Sequence, residues 1–300
     1  MWFRNLKLYR FDATPLSIET LDTALQTRPL GTCGSMEHCT RGWVAPRQEG
    51  VFVHAVNRQW LIALGVEEKL LPAAVMRQYA AARAAEIERE QGRKVGRREM
   101  REIADRVVEV HLPTALRRQR QTWAWIDPVN GWLVIDTASD ARADEFIEKL
   151  LATVDDLSPR PLQTQVSPNT AMTDWLAGGE APAVFSVDSD TELRSCSAAQ
   201  ATIRYAHHSL DGPEIAEHVA HGKIATRLGL TWNDRVSFVL TDKLHIKRLT
   251  FLDVVREQAA QSAMNADEQF DVDFALMAGE LAGMLKDLVA ALGGVKEATA

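Results

Sequence analysis

The segment Thr122-Trp123-Ala124-Trp125-Ile126-Asp127-Pro128-Val129-Asn130-Gly131-Trp132-Leu133-Val134-Ile135-Asp136 decides the fold. Aromatic and β-branched residues fill both arms, and Asn-Gly between them supplies the positive φ of a tight primed turn, so the reading is an antiparallel hairpin. Working outward, residues 1–11 and Arg58-Gln59-Trp60-Leu61-Ile62-Ala63-Leu64 read as further strands. Between them a helix is predicted over 16–26, with Leu16, Leu21 and Leu25 on one face.

Residues 72–121 separate the strand at 58–64 from the hairpin and read as helical. Pro72 suits a first helical position, the Ala-rich run propagates to Gln91, and Gly92 and Gly96 bracket a break. A second helix over 97–111 carries Met100, Ile103, Val107 and Val110 on one face before Pro113 ends it. The pair forms a helical hairpin inserted between strands, expected to project from the sheet.

Downstream, a helix near 139–151 leads to Ser158-Pro159-Arg160-Pro161, which reads as a linker. Beyond it lie strands near 183–188 and 201–206, a helix at 213–221 closed by Gly222, and strands at 223–231, 235–241 and 243–250. A last helix over 267–292 has Phe270, Phe274, Met277, Leu281, Leu285, Leu288 and Leu292 along one side, a stripe suited to a core or to dimerisation. The fold class is therefore α+β, with two antiparallel-sheet/helix units: 1–71 with 122–157, interrupted by the insertion 72–121, then 158–300. The partly repeated order of elements hints at duplication.

Three hundred residues, 46% hydrophobic, suffice for one large or two ordinary cores. No apolar run approaches the roughly 20 residues that span a bilayer, no signal-peptide pattern opens the chain, and three cysteines suit a reduced compartment, so the expectation is a cytoplasmic protein. No phosphate loop, dinucleotide fingerprint, nucleophile elbow or zinc helix occurs, and no cofactor is implied. His218 and His221, with His207 and His208 nearby, lack an acid or cysteine to complete a familiar metal site. Asp271-Val272-Asp273 fits either a divalent-ion site of a nuclease or the first turn of the last helix, and Cys33-Gly34-Ser35 fits a tight turn.

The net charge is -7, yet Arg93 to Arg120 holds nine Arg/Lys against four acids. A basic strip on an acidic body suggests a confined site for a polyanion. The spacings Arg98 with Glu102, Arg101 with Asp105 and Glu102 with Arg106 predict a self-paired middle, leaving a tip (Arg93, Lys94, Arg97) and a base (Arg117, Arg118, Arg120) free. A second basic group, Lys223, Arg227, Lys243, Lys247 and Arg248, lies on strands, with His245, Lys247 and Leu249 predicted to alternate onto one face.

The sequence resembles the recombination-associated RdgC proteins of proteobacteria. The resemblance runs through Met1-Trp2-Phe3-Arg4-Asn5-Leu6, Thr32-Cys33-Gly34-Ser35 with Gly42-Trp43-Val44, Glu67-Glu68-Lys69-Leu70-Leu71-Pro72 and Trp125-Ile126-Asp127 to Asn130-Gly131. It continues through Gly222-Lys223-Ile224-Ala225-Thr226-Arg227-Leu228 and Phe274-Ala275-Leu276-Met277-Ala278-Gly279-Glu280-Leu281. It implies a ring-shaped homodimer that encircles duplex DNA without sequence preference, associates with the nucleoid and negatively modulates the RecA strand-exchange protein, without catalysis. On that reading Arg117, Arg118, Arg120, Lys223, Arg227, Lys247 and Arg248 are the leading phosphate contacts, followed by Lys69, Arg77, Arg93, Lys94 and Arg97. Leu116 stands where other members have an aromatic residue, and His207 and His208 where they have a lysine and an amide. These three residues are expected at the closing dimer contacts, where the histidine pair would make closure pH-sensitive. The alternatives from other classes are a metal-dependent nuclease built on Asp271 and Asp273, and a protein-interaction module whose helical hairpin binds a partner. Membrane binding is disfavoured by the lack of Trp or Phe anchors on the basic helix.

Overall fold

A computed structural model describes residues 1–12, 16–47, 50–155, 157–178, 180–196, 201–210, 212–262 and 265–296. The strands in chain order are β1 (Leu6–Arg10), β2 (Cys39–Val44), β3 (His54–Val56), β4 (Gln59–Lys69), β5 (Arg117–Asp127), β6 (Trp132–Asp136), β7 (Arg160–Pro161), β8 (Phe185–Ser195), β9 (Thr202–Tyr205), β10 (Lys223–Trp232), β11 (Val236–Thr241) and β12 (Ile246–Phe251). The helices are α1 (Ile18–Gln26), α2 (Ala73–Gln91), α3 (Arg97–His111), α4 (Asp140–Leu151), α5 (Pro168–Leu176), α6 (Pro213–Ala220), α7 (Asp253–Ser262) and α8 (Ala266–Ala291). The chain is thus α+β, as its patterning predicts.

The hairpin β5–β6 forms with Asp127 opposite Trp132, leaving a four-residue loop rather than a two-residue primed turn. Only Gly131 in that loop has positive φ, at 67°. Asp127 fixes the loop by accepting from the backbone N–H groups of Val129 and Asn130, each at 3.0 Å. A side chain at Gly131 would lie 2.6 Å from the Phe11 carbonyl oxygen, so this position admits only glycine without rearrangement.

All strands join one antiparallel sheet in the order β2-β4-β5-β6-β1-β12-β11-β10-β8-β9, with β3 added to β4 and β7 to β1. The Pro-rich stretch read as a linker therefore supplies a strand, Tyr9 pairing with Pro161 and Arg10 with Arg160. The helical insertion ends in a single 3₁₀ turn (Leu112–Thr114), and residues 117–121, assigned with it from sequence, extend β5 along β4 through the pair Lys69–Arg117.

The two halves of the sheet meet at a thin seam. Strand β1 pairs with β12 at Leu6–Ile246, supported by the Leu249 N–H donating to the Arg4 carbonyl at 2.9 Å. The stripe of α8 spans that seam: Phe274, Met277, Leu281, Leu285 and Leu288 share one cluster with Leu61, Trp125 and Val134 on one side and Leu228, Phe238, Leu240 and Ile246 on the other. The stripe is core. On the opposite face, α1 and α4 cover only the first half, packing Leu21, Leu25, Ala143, Phe146 and Leu150 against Trp60, Ile62, Leu64, Ala124, Leu133 and Ile135. Strands buried on both faces explain the unbroken apolar run from Trp60 to Leu64. The corresponding face of β8–β12 carries no helix among the described residues, and it exposes polar and basic side chains.

Charged contacts tie the halves together as well. The ammonium of Lys7, a buried residue, donates to Asp140 at the start of α4 and lies 2.9 Å from His245 Nδ1. Asp271 of α8 accepts from Arg47 and lies 2.9 Å from His54 Nε2. Burial pushes both histidines below the usual imidazole range. For His245 the neighbouring Lys7 adds to the effect, and for His54 Asp271 opposes it.

Two outcomes follow from this architecture. Phe274→Ala removes a fully buried ring beneath both halves and should cost about 3–5 kcal/mol in urea unfolding, with intrinsic tryptophan fluorescence showing a single transition. Because the folded state lowers the pKa of His54 and His245 below the value near 6.5 that they have in the unfolded chain, stability should be level above that pH and fall as pH drops through it. Replacing both with Gln should flatten the urea-midpoint profile in this window.

Candidate nucleic-acid interface

The basic segment of α2, α3 and β5 departs from the expected distribution at most positions: Arg93, Lys94 and the base cluster are paired and Arg101 and Arg106 are open, while Arg97 is open and Arg98 is paired as expected. At the tip, Arg93 makes a bidentate contact with Glu99 at 2.6 and 2.7 Å, and Lys94 lies 3.2 Å from Glu88. Glu88 also accepts from the Val95 N–H, which orders the turn between the helices. Along α3 only Arg98 finds its predicted partner, Glu102, at 3.1 Å; Arg97, Arg101 and Arg106 have no acidic partner within 4 Å among the described residues. Arg77 is exposed and donates to the Ala73 carbonyl at 3.1 Å.

The base cluster is neutralised across the sheet. Register places Arg118 opposite Glu68 and Gln119 opposite Glu67, because a basic and an acidic strand run side by side. Arg118 donates to Glu68 at 2.8 Å, Arg117 reaches Glu67 at 3.4 Å, and Arg120 meets Glu145 of α4 at 2.5 Å. Burial would raise the Glu145 pKa, but hydrogen bonds from Arg41 and Arg120 outweigh it and hold the carboxyl below the usual range. Arg120 is mostly enclosed and serves the β5–α4 contact. Lys69, 7% exposed, donates to the carbonyls of Gly34 and Ser35 at 2.7 and 2.5 Å, so its ammonium holds the 34–35 turn instead of facing solvent. Only Arg117 and Arg118 of this group project outward.

The bare face of β8–β12 is different. There Arg204, Arg227, Lys247 and Arg248 line one groove with Asp190, Glu192 and Tyr205. The buried carboxylate of Glu192 organises it, accepting from Arg204 Nη2 at 2.6 Å and from the Thr226 hydroxyl at 2.9 Å, with Arg194 at 3.7 Å and Arg227 at 3.8 Å. Burial would raise its pKa, yet Arg204 and Thr226 together leave it lowered. Arg248 lies 2.9 Å from Asp190 while its side chain remains 73% exposed, and Lys247 has no acidic partner within 4 Å among the described residues. Four arginines thus share two carboxylates, with Lys247 beside them. Strand β12 reaches this arrangement through a bulge, with Lys247 opposite Val239 and Thr250 opposite Ser237, and Arg248 at φ 51°. The predicted alternation fails there: Leu249 turns into the core, while Lys247 and the adjacent Arg248 are both directed outward. Arg194 and Arg204 were not singled out from sequence, although Arg204 in Thr202-Ile203-Arg204-Tyr205 sits at an alternating position that register places opposite Glu192. Lys223 starts β10 away from the groove, with its ammonium 3.1 Å from His218 Nδ1.

Leu116 is 77% exposed at the foot of the helical hairpin, fixed only through its carbonyl, which accepts from the Leu70 N–H at 2.8 Å. His207 and His208 follow β9 beside the basic groove. The His207 N–H donates to Asp190 at 3.0 Å, and the His208 ring lies 5.3 Å from that of Tyr205. Asp271 and Asp273, past the first turn of α8, are engaged by Arg47 with His54 and by Gln269 respectively. The Cys33 thiol donates to the Glu37 carbonyl at 3.2 Å, and the Cys33 N–H donates to Glu67 at 2.9 Å, as a turn requires.

A family model described as "Putative exonuclease, RdgC" matches residues 1–295. Proteins named "Recombination-associated protein RdgC" are similar over nearly their full length. That of Cupriavidus pinatubonensis is 51% identical over 300 residues (99% of this chain, 100% of the relative). That of Janthinobacterium sp. is 49% identical over 298 residues, and that of Bordetella pertussis 48% over 297, each covering 99% of both chains. With the whole sequence matched and half of it identical to several relatives, the chain belongs to the RdgC family.

Proposed function

We propose that this protein binds duplex DNA through its phosphate backbone, without reading bases, and acts in recombination by occupying DNA that the RecA strand-exchange protein would use. The observation that carries this reading is the uncovered sheet face of β8–β12, where Arg194, Arg204, Arg227, Lys247 and Arg248 stand with Asp188, Asp190 and Glu192, an excess of positive charge in a chain of net charge -7. Cations on an extended face contact phosphates at intervals set by the strands and carry no sequence information. The relatives are named for recombination, which agrees with a ligand of this kind.

Within this reading Arg204, Arg227, Lys247 and Arg248 are the principal phosphate contacts. Arg117 and Arg118 form a second group, and Arg77, Arg97, Arg101 and Arg106 extend the charge along the helical hairpin. Arg93 and Lys94 reach DNA only by exchanging carboxylate partners for phosphates, a small cost for exposed pairs. The protein works as a homodimer that encloses the duplex as a ring at the nucleoid, closed by contacts including Leu116 on the helical hairpin and His207 and His208 beside the groove. The function proposed is one of binding without catalysis, and the contacts of Asp271 with Arg47 and of Asp273 with Gln269 support a bracing role for these two carboxylates.

Affinity for a random-sequence duplex should fall with salt on a log-log slope of about -0.9 per phosphate neutralised, and Lys247→Ala with Arg248→Ala should flatten that slope by about two units. A salt-independent affinity would sink the reading. After a high-salt wash, the protein should stay on covalently closed circles and leave linear duplexes of the same length; equal loss from both would remove enclosure while leaving backbone binding intact. Linear duplex incubated with magnesium or manganese should remain full length, and steady shortening would establish the exonuclease reading instead.

A further inference from the structure

A second cationic site lies on the other side of the sheet. Residues alternate along β1, so Lys7 meets His245 on the face of the basic groove while Leu6, Leu8 and Arg10 turn towards α8. Two adjoining clefts of about 410 and 400 Å³ share Arg10 and Val295 there. Arg160 and Lys296 rim the first, and Lys286 of α8 rims the second above Trp132, Ala282, Gly283 and Val289. Arg10 lies 4.3 Å over the Trp132 ring, which holds its guanidinium in place, and the carboxylates of Asp127 and Asp12 act on its charge from nearby. Among the described residues the one carboxylate lining these clefts is Asp12, 3.7 Å from Arg160.

Four cations above an apolar floor form a different surface from the groove on β8–β12. A phosphate backbone gains nothing from Val289 and Val295, whereas a peptide that alternates carboxylates with apolar side chains satisfies rim and floor together. We infer that the cleft between β1, β7 and the end of α8 docks an acidic, apolar-containing peptide segment of a partner protein. Its carboxylates would lie on Arg160, Lys286 and Lys296, and an apolar side chain on the floor of Ala282, Val289 and Val295. This does not depend on the DNA reading, because the two surfaces lie on opposite faces.

Fluorescence anisotropy with the full-length protein and a labelled peptide of alternating aspartate and leucine tests it. That peptide should bind, and Arg160→Glu and Lys286→Glu, both at exposed positions, should each weaken it by about tenfold or more while leaving duplex affinity and the urea midpoint unchanged. Lys247→Ala with Arg248→Ala should weaken duplex binding and leave the peptide untouched, so either surface can fail alone. The inference is overturned if the peptide does not bind, if an all-aspartate peptide binds equally well, or if duplex DNA displaces it in the Lys247→Ala, Arg248→Ala protein. It is also overturned if Arg160→Glu breaks a self-associated form, which would make the occupant a second copy of this chain.

Discussion

Everything in this structure depends on one helix lying across a weak joint. Strand β1 and strand β12 meet through a single residue pair and one further backbone hydrogen bond, too little to keep two half-sheets in register against thermal motion. The α8 stripe supplies what the backbone lacks, because its buried side chains are shared between Leu61, Trp125 and Val134 on one half and Leu228, Phe238 and Leu240 on the other. Neither half can move without exposing apolar area that belongs equally to its neighbour.

That placement also determines which surface is free. With α8, α5 and α6 beneath the sheet, the second face is buried only where α1 and α4 lie over the first half. The remainder needs polar residues simply to face water, and in this chain arginine and lysine occupy many of those positions. The basic groove is therefore an outcome of incomplete helix coverage as much as of charge. Glu192 gives it definition, since one buried carboxylate with arginines around it orders their guanidinium groups while leaving an excess of positive charge.

Local signals made much of this legible in the sequence. The β5–β6 hairpin, the paired helices α2 and α3, and the three strands after Gly222 were readable because period and breaker residues agree there. Strand β2, Cys39-Thr40-Arg41-Gly42-Trp43-Val44, and the three-residue β3 were missed because neither shows sustained alternation; both are strands by virtue of pairing with β4. Charge pairing was read least well, for a physical reason. Spacing within a helix identified Arg98–Glu102, but Arg118–Glu68 and Arg120–Glu145 arise from register and packing between elements distant in sequence. The bulge in β12 misled in the same way, since a single extra residue cancels the alternation that placed Leu249 beside Lys247.

The bulge also sets a limit on how far this chain can be optimised. Arg248 holds a left-handed backbone conformation that a side chain disfavours, and glycine would relieve a strain on the order of 1 kcal/mol. Glycine would also delete one of two neighbouring outward cations, which ordinary alternation would space roughly 6.6 Å apart on the same face. Relief of backbone strain and density of positive charge thus make opposite demands on this one residue.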